Sequence, residues 1–453
     1  MKENGTPTLF VTGIHPLVGR NIFATPVLRM LAREAHLVLF VPDFKVSYFE
    51  RQFGGPEVKI EGVSIGASMR TCFDLRSTQI AHAMLDTVSM RHTYGGRLKN
   101  HGMRKQYMAL YVPARLLGKS RLVRGLYRML DRRFSPSPAF SAFFDRYRPD
   151  ALFSTDATDK YDVQFMHHAR ARGIPIISMV RSFDNLTKLG ILRIIPDLLL
   201  VWSEELKRYA IDYHDVPEEA VEVVGVPHYD RYKNGSRMPR SEFLRRYHLT
   251  PAKKIIFFSP TGAPRLMHND ADRTTLEILS RMEATVFVRL PPTNPVEGIE
   301  DRKWPANVTL EKPGVAFDAG SLNDAVLTPD DDQTLADELA VSDLVVCGPS
   351  TIAIDASVFD KPTILLNFDG HPGEPYLDDA YETYQANHMQ SIIRSGGVRM
   401  ANSEAELIGW IRKYLADPLL DRDGRSRLAQ EQCFKLDGKS SERVAEAVLR
   451  MIP

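Results

Sequence analysis

The chain has 453 residues, with 58 Lys and Arg against 57 Asp and Glu and a formal net charge of +1. That length exceeds one ordinary domain and suits two, each large enough to bury its own core, and the balanced charge excludes a global field that would select nucleic acid or another polyanion. Cys72, Cys347 and Cys433 lie far apart, without CxxC or Cys/His spacing, which argues against a disulfide framework and a zinc site and points to a reducing cytoplasm.

The N-terminal MKENGTPTLFVTG passes into a strand-like run without a signal-peptide core, and no apolar stretch approaches the roughly 18–20 residues that span a bilayer. A soluble or at most surface-bound protein is expected. Short apolar runs then alternate with longer amphipathic ones, the pattern of βα units on a parallel sheet. In the first half the predicted strands are TLFVTG, HLVLFVP, ALFST, IPIISMV, DLLLVW and VEVVGVP, with helical period over segments such as 19–34 and 204–213. Residues 228–252 break the alternation with Gly, Pro and charge and are the predicted linker. It restarts with KKIIFFSPTG, TVFVRLPP, NVTLEK, DLVVCGPS and PTILLNF. The expected architecture is α/β: two doubly wound Rossmann-like domains facing a cleft, one over 1–235 and one over 236–435, with a closing helix over 436–453 packing back toward the first.

In such sheets ligands sit beyond the carboxyl ends of the strands. LVVCGPSTIAIDASVFDKPTILLNFD at 344–369 runs an apolar strand into Gly348, Pro349, Ser350 and Thr351 and then into a helix. Gly348 permits a tight turn, Pro349 suits a first helical turn, and Ser350 or Thr351 caps the helix while leaving backbone N–H groups exposed. A helix end adds about 0.3–2 kcal/mol for a phosphate. Asp355, about one turn deeper, is placed to accept from a ribose diol. Arg289 ends another strand and is a candidate diphosphate clamp. Thr261, Gly262 and Arg265 form a small-residue turn after KKIIFFSP, and Ser440 and Ser441 open the last helix. Each has an ordinary structural alternative, as a cap, a solvated polar position or a surface ion pair.

SDLVVCGPSTIAIDASVFDKPTILLN resembles the donor-site segment of GT-B-fold glycosyltransferases, where a strand, a Gly/Ser-rich turn, a helix with an acidic residue and a Lys-Pro recur. VVGVPHYDRY at 223–232 and DGKSSERVAEAV at 437–448 resemble segments of the branch containing CDP-glycerol glycerophosphotransferases and bacterial surface-polysaccharide transferases. The resemblance implies a nucleotide-diphosphate sugar donor of UDP or CDP type, used as substrate with no other cofactor. It implies Ser350, Thr351 and Arg289 on the diphosphate, Asp355 on the ribose, and residues near Thr261 and Ser440 completing the cradle. Where related transferases have Arg-x-His-Pro this chain has RLPP at 289–292, so no histidine role carries over.

The acceptor hydroxyl needs one base. His15 follows the first strand, where the resemblance to plant-type UDP-sugar transferases implies a histidine base, and its ordinary pKa suits the task. Asp156 in FSTDATD and Asp184 in MVRSFDNLTKLG compete with it, their structural role being turn and cap formation. PDDDQT at 329–334 precedes a helical stretch where acids favour the N-terminus anyway, and no metal is expected. Residues 91–133 are dense in Arg and Lys with Asp131 the sole acid, interleaved with Leu, Tyr and Met. They are expected either as a solvated basic face over the core or as a basic amphipathic helix on an anionic membrane surface at the inner face of the membrane; no nucleic-acid recognition module accompanies them.

The expected function is transfer of a sugar to a hydroxyl of a bacterial surface-glycan or lipid-linked acceptor, in capsule or other polysaccharide biosynthesis. The alternatives are polyol-phosphate transfer, a non-hydrolysing UDP-sugar 2-epimerase, and a catalytically silent nucleotide-sugar-binding subunit of an assembly complex. No G-x-G-x-x-G follows the first strand of either half, which argues against a dehydrogenase.

Overall fold

The computed structural model describes residues 5–91, 109, 111–250, 253–261, 270–292, 296–317, 325–368 and 383–453. The chain forms two compact units, one of Met1–Asp230 with Cys433–Pro453, the other of Arg231–Gln432. The closing helix therefore belongs to the first unit.

The first unit holds a seven-stranded sheet of β1 (Thr8–Thr12), β2 (His36–Pro42), β3 (Val58–Val63), β4 (Ala151–Ser154), β5 (Ile176–Met179), β6 (Leu198–Val201) and β7 (Val221–Val223), in the order β3-β2-β1-β4-β5-β6-β7. The second holds β8 (Lys254–Ser259), β9 (Ala284–Arg289), β10 (Val308–Glu311), β11 (Leu344–Cys347), β12 (Thr363–Leu366) and β13 (Arg399–Ala401), ordered β10-β9-β8-β11-β12-β13. Every pairing is parallel. The central strands are continuous apolar runs because both faces are covered. The helices that matter below are α1 (Val27–Leu31), α2 (Cys72–Met84), α3 (Val112–Leu117), α4 (Arg121–Phe134), α5 (Lys160–Ala171), α6 (Pro329–Val341), α7 (Ile352–Val358) and α8 (Ser440–Arg450).

Each sheet grows outward from its first strand and then reverses, so the chain returns on the other side of β1 with β4, and of β8 with β11. Those two reversals are the topological switch points, where the loops leaving adjacent strands part and leave room for a ligand.

Two strands were not expected. β3 and β13 are edge strands; β3 buries only Ile60 and Val63 and β13 has three residues, so neither carries the apolar run that marks a central strand. The predicted linker is not an open tether: Arg240–Arg246 is helical and buries Phe243 and Leu244, with the Phe243 ring 5.5 Å from Phe287.

Within the first unit, VVGVPHYDRY and DGKSSERVAEAV are held to each other. Asp230 accepts the Ser440 amide at 2.9 Å and the Ser441 amide at 2.6 Å, so a carboxylate seats on the first turn of α8. The Ser441 hydroxyl donates to the Pro227 carbonyl at 3.4 Å and Arg443 Nε donates to the Val224 carbonyl at 2.9 Å. Gly225 sits at φ +84°, and a Cβ there would fall 2.6 Å from the Ser440 hydroxyl, so only glycine admits the approach. α8 in turn packs on α1. Asp230→Ala removes two charge-assisted bonds and is expected to cost about 2–3 kcal/mol, read as a lower denaturation midpoint and faster amide exchange along α8, with Gly225→Ala giving a loss of the same sign.

Candidate functional site

β8 and β11 run side by side to Ser259 and Cys347. Their exits are Pro260–Thr261 and Gly348–Thr351, the loops of the second switch point. A Cβ on Gly348 would lie 2.0 Å from the Thr261 hydroxyl oxygen, so the two loops touch at a bare Cα and any side chain there would push the Thr261 hydroxyl aside. Beyond it, the amides of Ser350 and Thr351 find no acceptor among the described residues. Thr261, Ser350 and Thr351 are half-buried. The Ser350 hydroxyl accepts the Ile352 amide at 3.3 Å, and Thr351 starts α7 in helical dihedrals without capping it. α7 has only seven residues, so the loop's unpaired N–H groups, rather than a long helix dipole, make this edge attractive to an anion. Cys347 is no nucleophile here, because burial and then Asp355 push its thiol up to about 12.

The first switch point is lined differently. β1 and β4 pair through Val11 and Phe153, and the chain leaves them through Thr12–His15 and Ser154–Asp156. The Thr12 hydroxyl donates to Asp162 Oδ1, which also accepts from the Ser154 hydroxyl at 3.0 Å. Burial pushes the Asp162 carboxyl well above the usual range, and Asp159 and Asp156 add to the shift. Asp159 caps α5 through the Tyr161 amide at 2.7 Å, and burial raises it too. Asp156 is buried; Oδ1 accepts the Thr158 amide at 3.0 Å and hydroxyl at 2.7 Å, and Oδ2 faces Arg181 Nε at 2.9 Å. His15 Nδ1 accepts the Leu17 amide at 3.2 Å, which leaves the ring proton on Nε2. Burial, then Arg181, brings the His15 pKa down to about 3, with Lys45 acting in the same direction and Asp156 and Asp184 opposing.

No protein-family model matches the sequence, and no curated protein matches it. Solved structures do match in fold. The glycotransferase of kitacinnamycin is 14% identical over 99% of this chain and 100% of its own, with a TM-score of 0.55. Arabidopsis thaliana UGT89C1, complexed with UDP, is 13% identical over 99% and 100%, with a TM-score of 0.53. A UDP-GlcNAc 2-epimerase from Neisseria meningitidis, bound to UDP-GlcNAc, is 12% identical over 98% and 99%, with a TM-score of 0.50. The chain has the GT-B fold.

Within this GT-B fold, the residues expected to form one donor cradle separate. Gly348, Ser350, Thr351 and Thr261 come together at the second switch point. Gly262 and Arg265 lie outside the described residues. Asp355 is fully buried and accepts from the Tyr232 hydroxyl at 2.6 Å, which ties the segment after Asp230 to α7; that burial does not suit a ribose ligand. Arg289 does not present its guanidinium as a clamp: one nitrogen pairs both Glu338 oxygens at 2.9 Å and another donates to the Asp331 carbonyl at 2.9 Å, all in the interior. Burial pushes Glu338 well up while Arg289 opposes it. Ser440 and Ser441 are in the other unit, their amides already filled by Asp230. PDDDQT lies inside α6, where Asp331 closes a capping box with Thr328.

Of the base candidates, His15 and Asp156 flank the first switch point, and Asp184 is a half-buried neighbour whose charge reaches His15. Asp156 is committed to Thr158 and Arg181. Asp159 and Asp162 escaped the sequence reading; their signal was the three-residue spacing in DATDKYD, which puts successive carboxyls at the mouth of one strand and the start of one helix.

Two outcomes follow from this wiring. Arg289→Gln, by breaking a buried pair, is expected to lower stability by about 3 kcal/mol while leaving nucleotide affinity within two-fold, and a double variant with Glu338→Gln recovers part of the loss in denaturant titrations. His15 at about 3 and His214 at about 4 are both lowered, chiefly by burial. The unfolded chain therefore binds their protons first: the stability they contribute is whole above about pH 6.5 and declines as the pH falls from there toward the folded values. Their imidazole NMR signals are expected to show no titration between about pH 7 and pH 5.

Proposed function

We propose that this chain is an enzyme acting on a nucleotide-diphosphate sugar, and that its reaction is glycosyl transfer. The observation that carries the reading is the second switch point, where Gly348 and Thr261 make contact and the Ser350 and Thr351 amides find no acceptor among the described residues. Two adjacent backbone N–H groups beside half-buried hydroxyls suit the diphosphate of a UDP- or CDP-linked sugar, with negative charge growing on it as it leaves. The UDP held by UGT89C1 and the UDP-GlcNAc held by the Neisseria epimerase, in chains of the same fold, support the class of ligand.

In the transfer, the bond from the anomeric carbon to the diphosphate oxygen breaks with its electron pair going to the nucleoside diphosphate. A bond forms from the acceptor hydroxyl oxygen to that carbon, and the hydroxyl proton passes to a base. The first unit supplies the acceptor side, a glycan or lipid-linked hydroxyl. The candidates for the proton are His15 at the first switch point, a weak acceptor with its pKa brought down to about 3, and Asp184, the half-buried carboxylate after β5 whose charge acts on it. Replacing the one that takes the proton lowers kcat by about 10²–10⁴-fold with donor affinity unchanged.

A second reading, 2-epimerisation of a UDP-sugar, is favoured by the full-length likeness to the Neisseria enzyme. Turnover separates the readings. Transfer consumes donor only with acceptor and yields nucleoside diphosphate; epimerisation isomerises the donor with no acceptor; polyol-phosphate transfer would release the nucleoside monophosphate. Binding is checked first, by melting curves with UDP, CDP, GDP and their sugars. Gly348→Ala, which drives a methyl into the Thr261 hydroxyl, is expected to abolish the ligand-induced shift while moving the unliganded Tm little; an unchanged shift would remove the site.

A further inference from the structure

α4 is built the reverse way from an ordinary surface helix. Its inward face carries Arg124, Tyr127, Arg128 and Asp131. Arg124 pairs with Asp215 at 2.7 and 2.5 Å, Arg128 pairs with the same carboxylate at 2.9 Å, and Asp131 accepts Arg193 at 2.7 Å, so the charges are matched inside. Arg193 also reaches Asp74 of α2 at 2.7 Å. The outward face carries Leu122, Leu126, Met129 and Leu130, spaced at helical i, i+4, i+7 and i+8; Leu122 is 86% exposed and the other three lie between 42% and 53%. Of the basic run over 91–133, residues 92–108 and 110 lie outside the described residues; α4 shows water these apolar side chains together with Arg121, Arg132 and Arg133.

The apolar face extends beyond α4. Leu116 and Leu117 of α3 are exposed just before it, and Phe73 of α2 meets Phe134 at the end of α4, ring centroids 5.4 Å apart, both exposed. The exposed charges on α2, α3 and α4 are basic, Arg76, Arg121, Arg132 and Arg133, and the acids on these helices, Asp74 and Asp131, are fully buried; Lys119, between α3 and α4, pairs with the half-buried Asp86 at 3.3 Å. A run of solvent-facing leucines and aromatics is costly in water. A rim of one sign selects an oppositely charged partner. An acidic protein groove would want few insertions and fixed pockets, whereas leucine, methionine and phenylalanine ringed by arginine suit a fluid apolar layer under anionic headgroups.

We propose that the face made by α4, with α3 and the start of α2, docks this chain onto an anionic phospholipid bilayer, the leucines entering the acyl boundary and the arginines lying at the phosphates. It lies outside both switch points and stands whether the reaction is transfer or epimerisation. Among the described residues no helix is long and apolar enough to cross a membrane, so the contact is with the surface.

The test is flotation of the full chain with vesicles of phosphatidylcholine alone and of phosphatidylcholine with phosphatidylglycerol, beside size-exclusion of the free protein. The chain is expected to float with the anionic vesicles, and Leu122→Glu with Leu126→Glu to abolish flotation at unchanged Tm, since both side chains point outward. Arg132→Glu with Arg133→Glu should weaken partition by at least five-fold for each arginine. A chain that stays at the bottom with anionic vesicles, floats equally with neutral ones, or floats despite the leucine changes overturns the proposal. So does a dimer that the leucine changes dissolve without any flotation, because the face then belongs to a second copy.

Discussion

A polar group withdrawn from water has to find a partner, and this chain meets that requirement from within at nearly every place where its sequence suggests a ligand. Asp230 occupies the amides of Ser440 and Ser441. Glu338 and the Asp331 carbonyl occupy Arg289. Tyr232 occupies Asp355, and Arg181 faces Asp156. With those groups internally matched, the loop from Gly348 to Thr351 stands out as backbone whose Ser350 and Thr351 amides find no acceptor among the described residues. Asp230 and Tyr232, two residues apart, serve different units, one through α8 and the other through α7.

Architecture was the part most open to reading from sequence. Strands buried on both faces need uninterrupted apolar runs, and LFVT, LVLFV, IIFF, LVVC and TILL are such runs, the first four opening into Gly, Ser or Pro where the chain must turn. β3 and β13 escaped because an edge strand needs neither the length nor the apolar face. The site was legible only in part. A glycine at a strand end announces close approach, and Gly348 provides it. An arginine at a strand end announces nothing by itself, because a guanidinium binds a buried glutamate as readily as a phosphate, and Glu338 lies 49 positions further along the chain. Likewise Ser-Ser before a helix reveals free amides only until a carboxylate from elsewhere is found on them.

α4 shows a limit of another kind. Alternating Arg and Leu at helical spacing is amphipathic whichever face turns inward, and periodicity does not carry a sign. The sign was set by Asp215 and Arg193, residues distant in sequence, which can receive Arg124, Arg128 and Asp131 in the interior and so leave the leucines outside. The usual rule that charges face water assumes no buried partners; supply them with good geometry and the orientation inverts.

The two switch points differ in how their charges are handled. At the first, Asp156 is matched by Arg181, Asp162 is driven toward its neutral form by burial, and His15 is kept neutral by burial and by Arg181, so the edge is rich in polar atoms yet carries little net charge. Such a lining receives a neutral, hydroxyl-bearing molecule without repelling it and keeps proton-accepting atoms at hand. At the second, no carboxylate stands in the Gly348–Thr351 loop, and the exposed groups are N–H and hydroxyl donors. At the first edge the Asp156 carboxylate is already matched by Arg181, whereas the second offers the N–H and hydroxyl groups of Ser350 and Thr351, with the nearby Asp272 carboxylate accepting the Thr261 amide at 3.0 Å. The proposal that the diphosphate goes to one unit and the hydroxyl to the other draws on these charges as well as on the loop geometry.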